Sequence, residues 1–141
     1  MRVYADSSFV VSIYVQDNHS ATADELMNSG VQVWFTPLHH AECIHAIAQQ
    51  VFRRKISASD AESIYRHLDS DRAAGLWVEA QMPEAAFDVC ADLARRHGAR
   101  LGIRTLDSLH VASALELKVE QFWTFDDRQA KLAKAEGLKI A

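Results

Sequence analysis

Five short apolar runs that read as β-strands are separated from one another by one or more stretches of helical pattern, and that alternation constrains the fold more than any other feature. Such an order implies a parallel sheet covered by helices on both faces, an α/β architecture. The strand runs are Val3–Ala5, Val31–Phe35, Leu76–Ala80, Gln121–Phe125 and, as a final edge strand, Leu138–Ile140. Helices are expected over Phe9–Val15, over His19–Asn28 with a stop at Gly30, and from Pro37 to about Arg54 with Thr36 as N-cap. Further helices are expected over Ser59–Ala73, opening on a near capping box from Ser59 to Glu62, and over Pro83–His97, closed by Gly98. Thr105–Leu117 is apolar round most of its circumference and reads as the most buried helix, and Asp126 opens a last helix ended by Gly137.

A chain of 141 residues is the size of one domain, and no linker, repeat or low-complexity segment divides residues 1–141. Hydrophobic residues make up 49% and charged residues 24%, the balance of a globular protein with a core of its own. The N-terminus runs straight into a strand without a signal peptide, and no apolar run reaches membrane-spanning length, so the expectation is a cytoplasmic protein with no membrane contact. Cys43 and Cys90 lack metal-type spacing and fall in helical patterns, as small buried residues do. The net charge of −4 counts against a free-standing, non-specific nucleic-acid binder, but it is compatible with a nuclease whose acids are concentrated in one site.

Four acids stand where such a sheet could bring them together: Asp6, Glu42, Asp107 and Asp126. In open α/β sheets, sites form beyond the carboxyl ends of the strands, and Asp6, Asp126 and the helix that carries Glu42 all follow strands at that end. The bland reading is that Asp6, Asp107 and Asp126 serve helix N-termini, where a carboxylate satisfies free N–H groups and complements the helix dipole. Glu42 has no such role, being more than one turn inside its helix at the border of the apolar arc. Carboxylates crowded into one cleft repel unless a cation compensates them, and Mg²⁺ or Mn²⁺ suits that donor set.

Other polar features weigh less. His39, Glu42 and His45 do not share one helix face closely, and neither HExxH nor HxxEH is present, which disfavours zinc. His110, one turn after Asp107, reads as either a support for that acid or a hydrogen-bonded core histidine. Trp34, Trp77 and Trp123 read as core or interface residues rather than base-stacking ones.

Four stretches together resemble the PIN-domain ribonucleases, most closely the VapC-like toxins of bacterial toxin–antitoxin systems. They are Tyr4-Ala5-Asp6-Ser7-Ser8, Thr36-Pro37-Leu38-His39-His40-Ala41-Glu42, the run from Leu106 to Ala114, and Trp123-Thr124-Phe125-Asp126-Asp127-Arg128-Gln129. The resemblance implies a three-layer α/β/α sandwich around a mostly parallel sheet. It implies endonucleolytic cleavage of RNA that depends on Mg²⁺ or Mn²⁺, with Asp6, Glu42, Asp107 and Asp126 as the catalytic and metal-binding quartet. Thr124 and Ser8 would support that quartet, and Arg104 and Arg100 are the candidates for gripping substrate. The implied partners are an RNA substrate, a cognate antitoxin and a second copy of the chain in a homodimer. One departure is that Arg128 stands where the family often has a further acid, which leaves the number of metals open.

Two other functions compete with this one. A PIN-like module that binds RNA or protein without cleaving would show no metal-dependent cleavage. An aspartyl-phosphate phosphohydrolase also places an Asp after its first strand, but it needs a second Asp two positions on, where this chain has Ser8.

Overall fold

The computed structural model describes all residues from Met1 to Ala141. The strands are β1 (Arg2–Ala5), β2 (Gln32–Phe35), β3 (Trp77–Glu79), β4 (Gln121–Trp123) and β5 (Lys139–Ile140). The helices are α1 (Ser7–Tyr14), α2 (Ser20–Met27), α3 (Pro37–Phe52), α4 (Ala58–Ala73), α5 (Ala86–Leu93), α6 (Ala99–Leu101), α7 (Thr105–Glu116) and α8 (Asp127–Ala135). All strand pairs are parallel, in the order β3-β2-β1-β4-β5. The chain thus builds outward from β1 in one direction through β3, then returns to lay β4 and β5 on the other side of β1. The β1/β4 boundary is the topological switch point, where α/β sheets place their sites.

The two-residue period of the strands divides the core. Val3 and Ala5 of β1, Val33 and Phe35 of β2 and Trp123 of β4 face one layer, where Phe9, Val10, Ala23, Cys43 and Leu68 of α1 to α4 meet them. Tyr4 and Phe122 face the other, packed with Ala86, Cys90 and Leu93 of α5, Leu109 and Ala112 of α7, and Leu132 of α8. The result is the expected α/β/α sandwich. Both cysteines are buried and free. α7 is the most enclosed helix, with every residue from Ser108 to Ala114 buried, although Leu106 is exposed. Trp77 and Trp123 are core residues, whereas Trp34 is half-buried with its indole N–H enclosed and unpartnered.

Several boundaries differ from the sequence expectation, among them the end of β4 at Trp123 in place of Phe125 and the start of α5 at Ala86 in place of Pro83, and two of the differences have a clear local cause. Gly98 does not close a helix: its φ of −59° and ψ of −44° are helical, and α5 continues through a wider π turn at Ala94–Gly98 into α6. The stop is Gly102, whose φ of 64° is the left-handed conformation that favours glycine. The capping box of α4 is formed by Ser57 and Asp60, two residues before the expected Ser59, with both reciprocal bonds at 3.0 Å.

Candidate active site

The floor of the site is built where β1 and β4 end side by side. The Asp6 N–H donates to the Trp123 carbonyl at 3.0 Å, which ties the two strand ends together and leaves Asp6 and Asp126 on the same edge. Asp6 is the N-cap of α1, its Oδ1 accepting the Phe9 N–H at 3.0 Å. Its Oδ2 accepts the Ser8 hydroxyl at 2.8 Å and lies 3.3 Å from Thr124 Oγ1. Burial pushes the Asp6 carboxyl above its ordinary range, even though the Phe9 N–H and the Ser8 hydroxyl favour the charged form. Asp126 caps α8, its Oδ1 accepting the Gln129 N–H at 2.8 Å. The bland reading of these two acids as caps is therefore correct as far as it goes, but each cap uses one carboxylate oxygen.

Asp107 and Glu42 have no capping role. Asp107 is in the first turn of α7, where the N-cap position belongs to Arg104 and no side chain makes a capping bond. Its Oδ2 is 3.6 Å from Arg104 Nε. Burial raises the Asp107 carboxyl, and the charges of Asp126 and Glu42 add to the effect of burial while Arg104 opposes it. Glu42, in the second turn of α3, accepts the Ser7 hydroxyl on Oε1 at 2.8 Å and a bond from His110 Nε2 on the same oxygen. Burial would raise the Glu42 carboxyl, but the His110 and Ser7 hydrogen bonds and the imidazole's electrostatic attraction outweigh it and hold the group below its ordinary value.

Donor and acceptor roles in this network follow from its buried ends. Burial keeps the Tyr4 phenol protonated with its Oη 2.7 Å from His110 Nδ1, and the Glu42 carboxylate, an acceptor only, requires a proton on His110 Nε2. His39 is constrained in the same way. Its Nδ1 accepts the Thr36 N–H at 2.9 Å and its Nε2–H donates to the Ala5 carbonyl at 2.7 Å. Burial lowers its pKa to about 3, so it is a neutral brace between α3 and the end of β1. With both ring nitrogens occupied, His39 has no lone pair to offer zinc.

One polar cavity of about 230 Å³ collects the expected residues: Asp6, Ser8, Glu42, Arg104, Asp107 and Asp126 line it together with Ser7 and His110. Thr124 sits at its edge against Asp6. Arg100 is elsewhere, its Nη2 2.7 Å from His97 Nδ1. A larger hollow of about 510 Å³ between α1, α3 and α4 has mixed walls, including Tyr14, Ile56 and Ile64, and contains none of the four acids. The acids line the cleft without closing into a cage, since no three Asp, Glu, His or Cys side chains are gathered tightly enough to hold an ion among themselves. Sequence reasoning missed the roles of Tyr4, Ser7 and Gln129. Gln129 is fully buried, accepts the Thr124 hydroxyl at 2.7 Å and donates to the Asp107 carbonyl at 3.1 Å, so it fixes two parts of the site at once.

Residues 3–135 match the family model of the PIN domain. No curated protein sequence matches the chain. Three crystal structures share the fold over nearly its whole length. FitAcB from Neisseria gonorrhoeae has a TM-score of 0.73 at 13% identity, covering 98% of this chain and 95% of the other. VapBC2 from Rickettsia felis, bound to a DNA fragment from their promoter, has a TM-score of 0.70 at 14% identity, covering 100% and 98%. VapC20 from Mycobacterium tuberculosis, a Sarcin-Ricin loop cleaving toxin, has a TM-score of 0.70 at 16% identity, covering 96% and 95%.

Proposed function

The chain belongs to the PIN-domain family, and from that premise we propose that it is a metal-dependent endoribonuclease, the toxin of a toxin–antitoxin pair. The observation that carries this reading is the placing of Asp6, Glu42, Asp107 and Asp126 around one polar cavity at the sheet's switch point. FitAcB and VapBC2 support the reading by fold, and VapC20, described as a Sarcin-Ricin loop cleaving toxin, supports the toxin role and RNA as the substrate class. The remaining parts of the proposal are a cognate antitoxin, a homodimer and a cytoplasmic place of action. No helix is long and apolar enough to cross a membrane.

The donor set fits Mg²⁺ or Mn²⁺. The cavity offers hard carboxylate oxygens, and Mg²⁺ binds through one or two carboxylates while retaining several waters, so a closed cage is not required. Asp6, Asp107 and Glu42 would hold the ion, directly or through waters, with Asp126 completing the site. Such an ion, when bound, supplies a Lewis acid for a phosphate oxygen and lowers the pKa of water. The chain's own residues do the rest. Asp6 and Asp107 are acids that burial disfavours as anions, so a cation beside them relieves a cost already present in the fold. Ser7 and His110 fix Glu42 through Oε1 and leave Oε2 without a partner in the chain. Asp126 uses Oδ1 for its cap and has Oδ2 to orient the attacking water.

The test is incubation of the purified, antitoxin-free protein with structured RNAs in Mg²⁺, in Mn²⁺ and in EDTA, alongside Asp6→Asn. Cleavage at discrete sites, lost in EDTA and in the variant, is the expected result. RNA binding without cleavage in either metal would instead indicate a non-catalytic PIN-like module.

A further inference from the structure

Beside the acidic cavity lies a second one of about 200 Å³, which shares Arg104, Asp107 and Asp126 with it and adds Gly102, Ile103 and Arg128. Two guanidinium groups therefore flank the carboxylates. They come from different elements, Arg104 at the N-cap of α7 and Arg128 in the first turn of α8. Arg128 makes no ion pair within 4.0 Å; its one side-chain hydrogen bond is a long one of 3.4 Å from Nη1 to the Gly102 carbonyl. The backbone of Gly102, turned by its φ of 64°, presents that carbonyl, and a Cβ there would meet Arg128 Nη1 at 3.8 Å. The guanidinium is thus located by a neutral group and retains most of its five N–H donors. Arg104 is 88% exposed, with only the 3.6 Å approach to Asp107.

A strand of RNA approaching this cleft meets four carboxylates on a chain of net charge −4. Binding it requires positive charge at the flank of the site, and a planar fork of N–H donors matches a phosphate in geometry as well as sign. We infer that Arg104 and Arg128 hold a phosphate flanking the scissile one, in a single-stranded stretch of the substrate. Arg128 then has a role of its own at a position the sequence marks only as lacking an acid. The inference rests on the nuclease reading above and goes beyond it by naming the subsite and its ligand.

The experiment is fluorescence anisotropy of a labelled single-stranded oligoribonucleotide of mixed sequence, titrated in Mg²⁺ over a series of salt concentrations. The full-length Asp6→Asn protein is compared with the same protein also carrying Arg128→Gln, Arg104→Gln or Arg128→Lys. Each glutamine substitution is expected to weaken binding roughly tenfold, as loss of a charge-assisted hydrogen bond does. Each should also reduce the slope of log affinity against log salt by about 0.7, the value for one phosphate contact on a single strand. Arg128→Lys should keep the slope and lose affinity, because it keeps the charge but not the fork. In the cleaving protein, Arg128→Gln should raise KM while kcat stays within about twofold. If the parent cleaves RNA and Arg128→Gln binds it with the parent's affinity and slope, the grip is refuted and the nuclease stands. If the parent neither binds nor cleaves RNA, both fall.

Discussion

His110 and Glu42 share a hydrogen bond that joins α7 to α3 across the floor of the acidic cleft, with Tyr4 Oη 2.7 Å from the other imidazole nitrogen. His110 is 2% exposed, so neither nitrogen can exchange its partner for bulk water. His110→Ala strands the buried Tyr4 hydroxyl and opens a cavity, which should cost about 2–4 kcal/mol. Tyr4→Phe removes one bond and should cost about 1–2 kcal/mol. Urea midpoints of the two variants and of the double variant check this, and the two losses should be less than additive because both remove the Tyr4–His110 bond.

Asp6→Asn should stabilise the metal-free protein at neutral pH. The Asp6 carboxyl is raised in the folded state, so its favourable contribution is complete below the ordinary aspartate value of about 3.9 and is lost as pH rises through the folded value. Asparagine carries no charge to bury and keeps an oxygen for the Phe9 N–H. The variant should melt above the parent at pH 7, and the gap should close as pH falls toward the ordinary aspartate value. Mg²⁺ at about ten times its Kd should then stabilise the parent by about 1.4 kcal/mol and the variant hardly at all. Thermal melts with and without Mg²⁺ across that pH range read both effects.

Glu136 provides a pH test away from the cleft. It accepts Arg96 Nη1 at 2.7 Å and Nη2 at 2.8 Å, with His97 Nε2 at 2.9 Å. The Arg96 bonds, aided by His97, outweigh the opposing effect of desolvation and hold its carboxyl down at about 2. A depressed carboxylate stabilises above its unfolded value, about 4.3, and loses that contribution as pH falls through the folded value. Glu136→Gln should cost about 0.5–1 kcal/mol at pH 7, within the range for a surface network, and the difference from the parent should fade between pH 4 and pH 2. Chemical denaturation at stepped pH measures it.

Gln129→Leu should be more damaging than its neutral side chain suggests. The substitution removes both Gln129 bonds, to the Thr124 hydroxyl and to the Asp107 carbonyl, and leaves Thr124 Oγ1 only the longer 3.3 Å approach to Asp6 Oδ2, a loss of about 1–3 kcal/mol. It also frees the first turn of α7, which carries Asp107, so cleavage should fall at temperatures where the variant is still folded. Circular dichroism beside the cleavage rate separates the two effects.

The sheet and the acids were legible for the same reason. Strand runs alternating with helices dictate a parallel sheet, and acids just past the strand ends then have one place to meet. What stayed hidden were the partners of those acids. Tyr4 reads as one more residue of an apolar strand and Ser7 as part of a helix start, and Gln129 stands in one of the stretches that carry the resemblance without a role of its own. Their roles depend on which atom each reaches across the chain, over 106 residues for Tyr4 and His110, and local pattern carries no trace of that. Arg100 and Arg104 both stood as candidates for gripping substrate, yet the turn at Gly102 between them separates them, one lying against His97 and the other lining the cleft. The stop at Gly102 in place of Gly98 has a related cause. A glycine ends a helix only when its φ turns positive, and Gly98, in the π turn, keeps a helical φ.

The central claim is that Asp6, Glu42, Asp107 and Asp126 act as one metal-dependent site. The most direct test is the rate of cleavage of one labelled structured RNA in Mg²⁺ by the parent and by Asp6→Asn, Glu42→Gln, Asp107→Asn and Asp126→Asn, each shown folded by its melting curve. The account predicts that every variant loses at least about a hundredfold in rate and that a double variant loses little more than the worse single one, as residues acting as a unit do. Parent-like cleavage by any of the four, or losses that multiply as if independent, would contradict it.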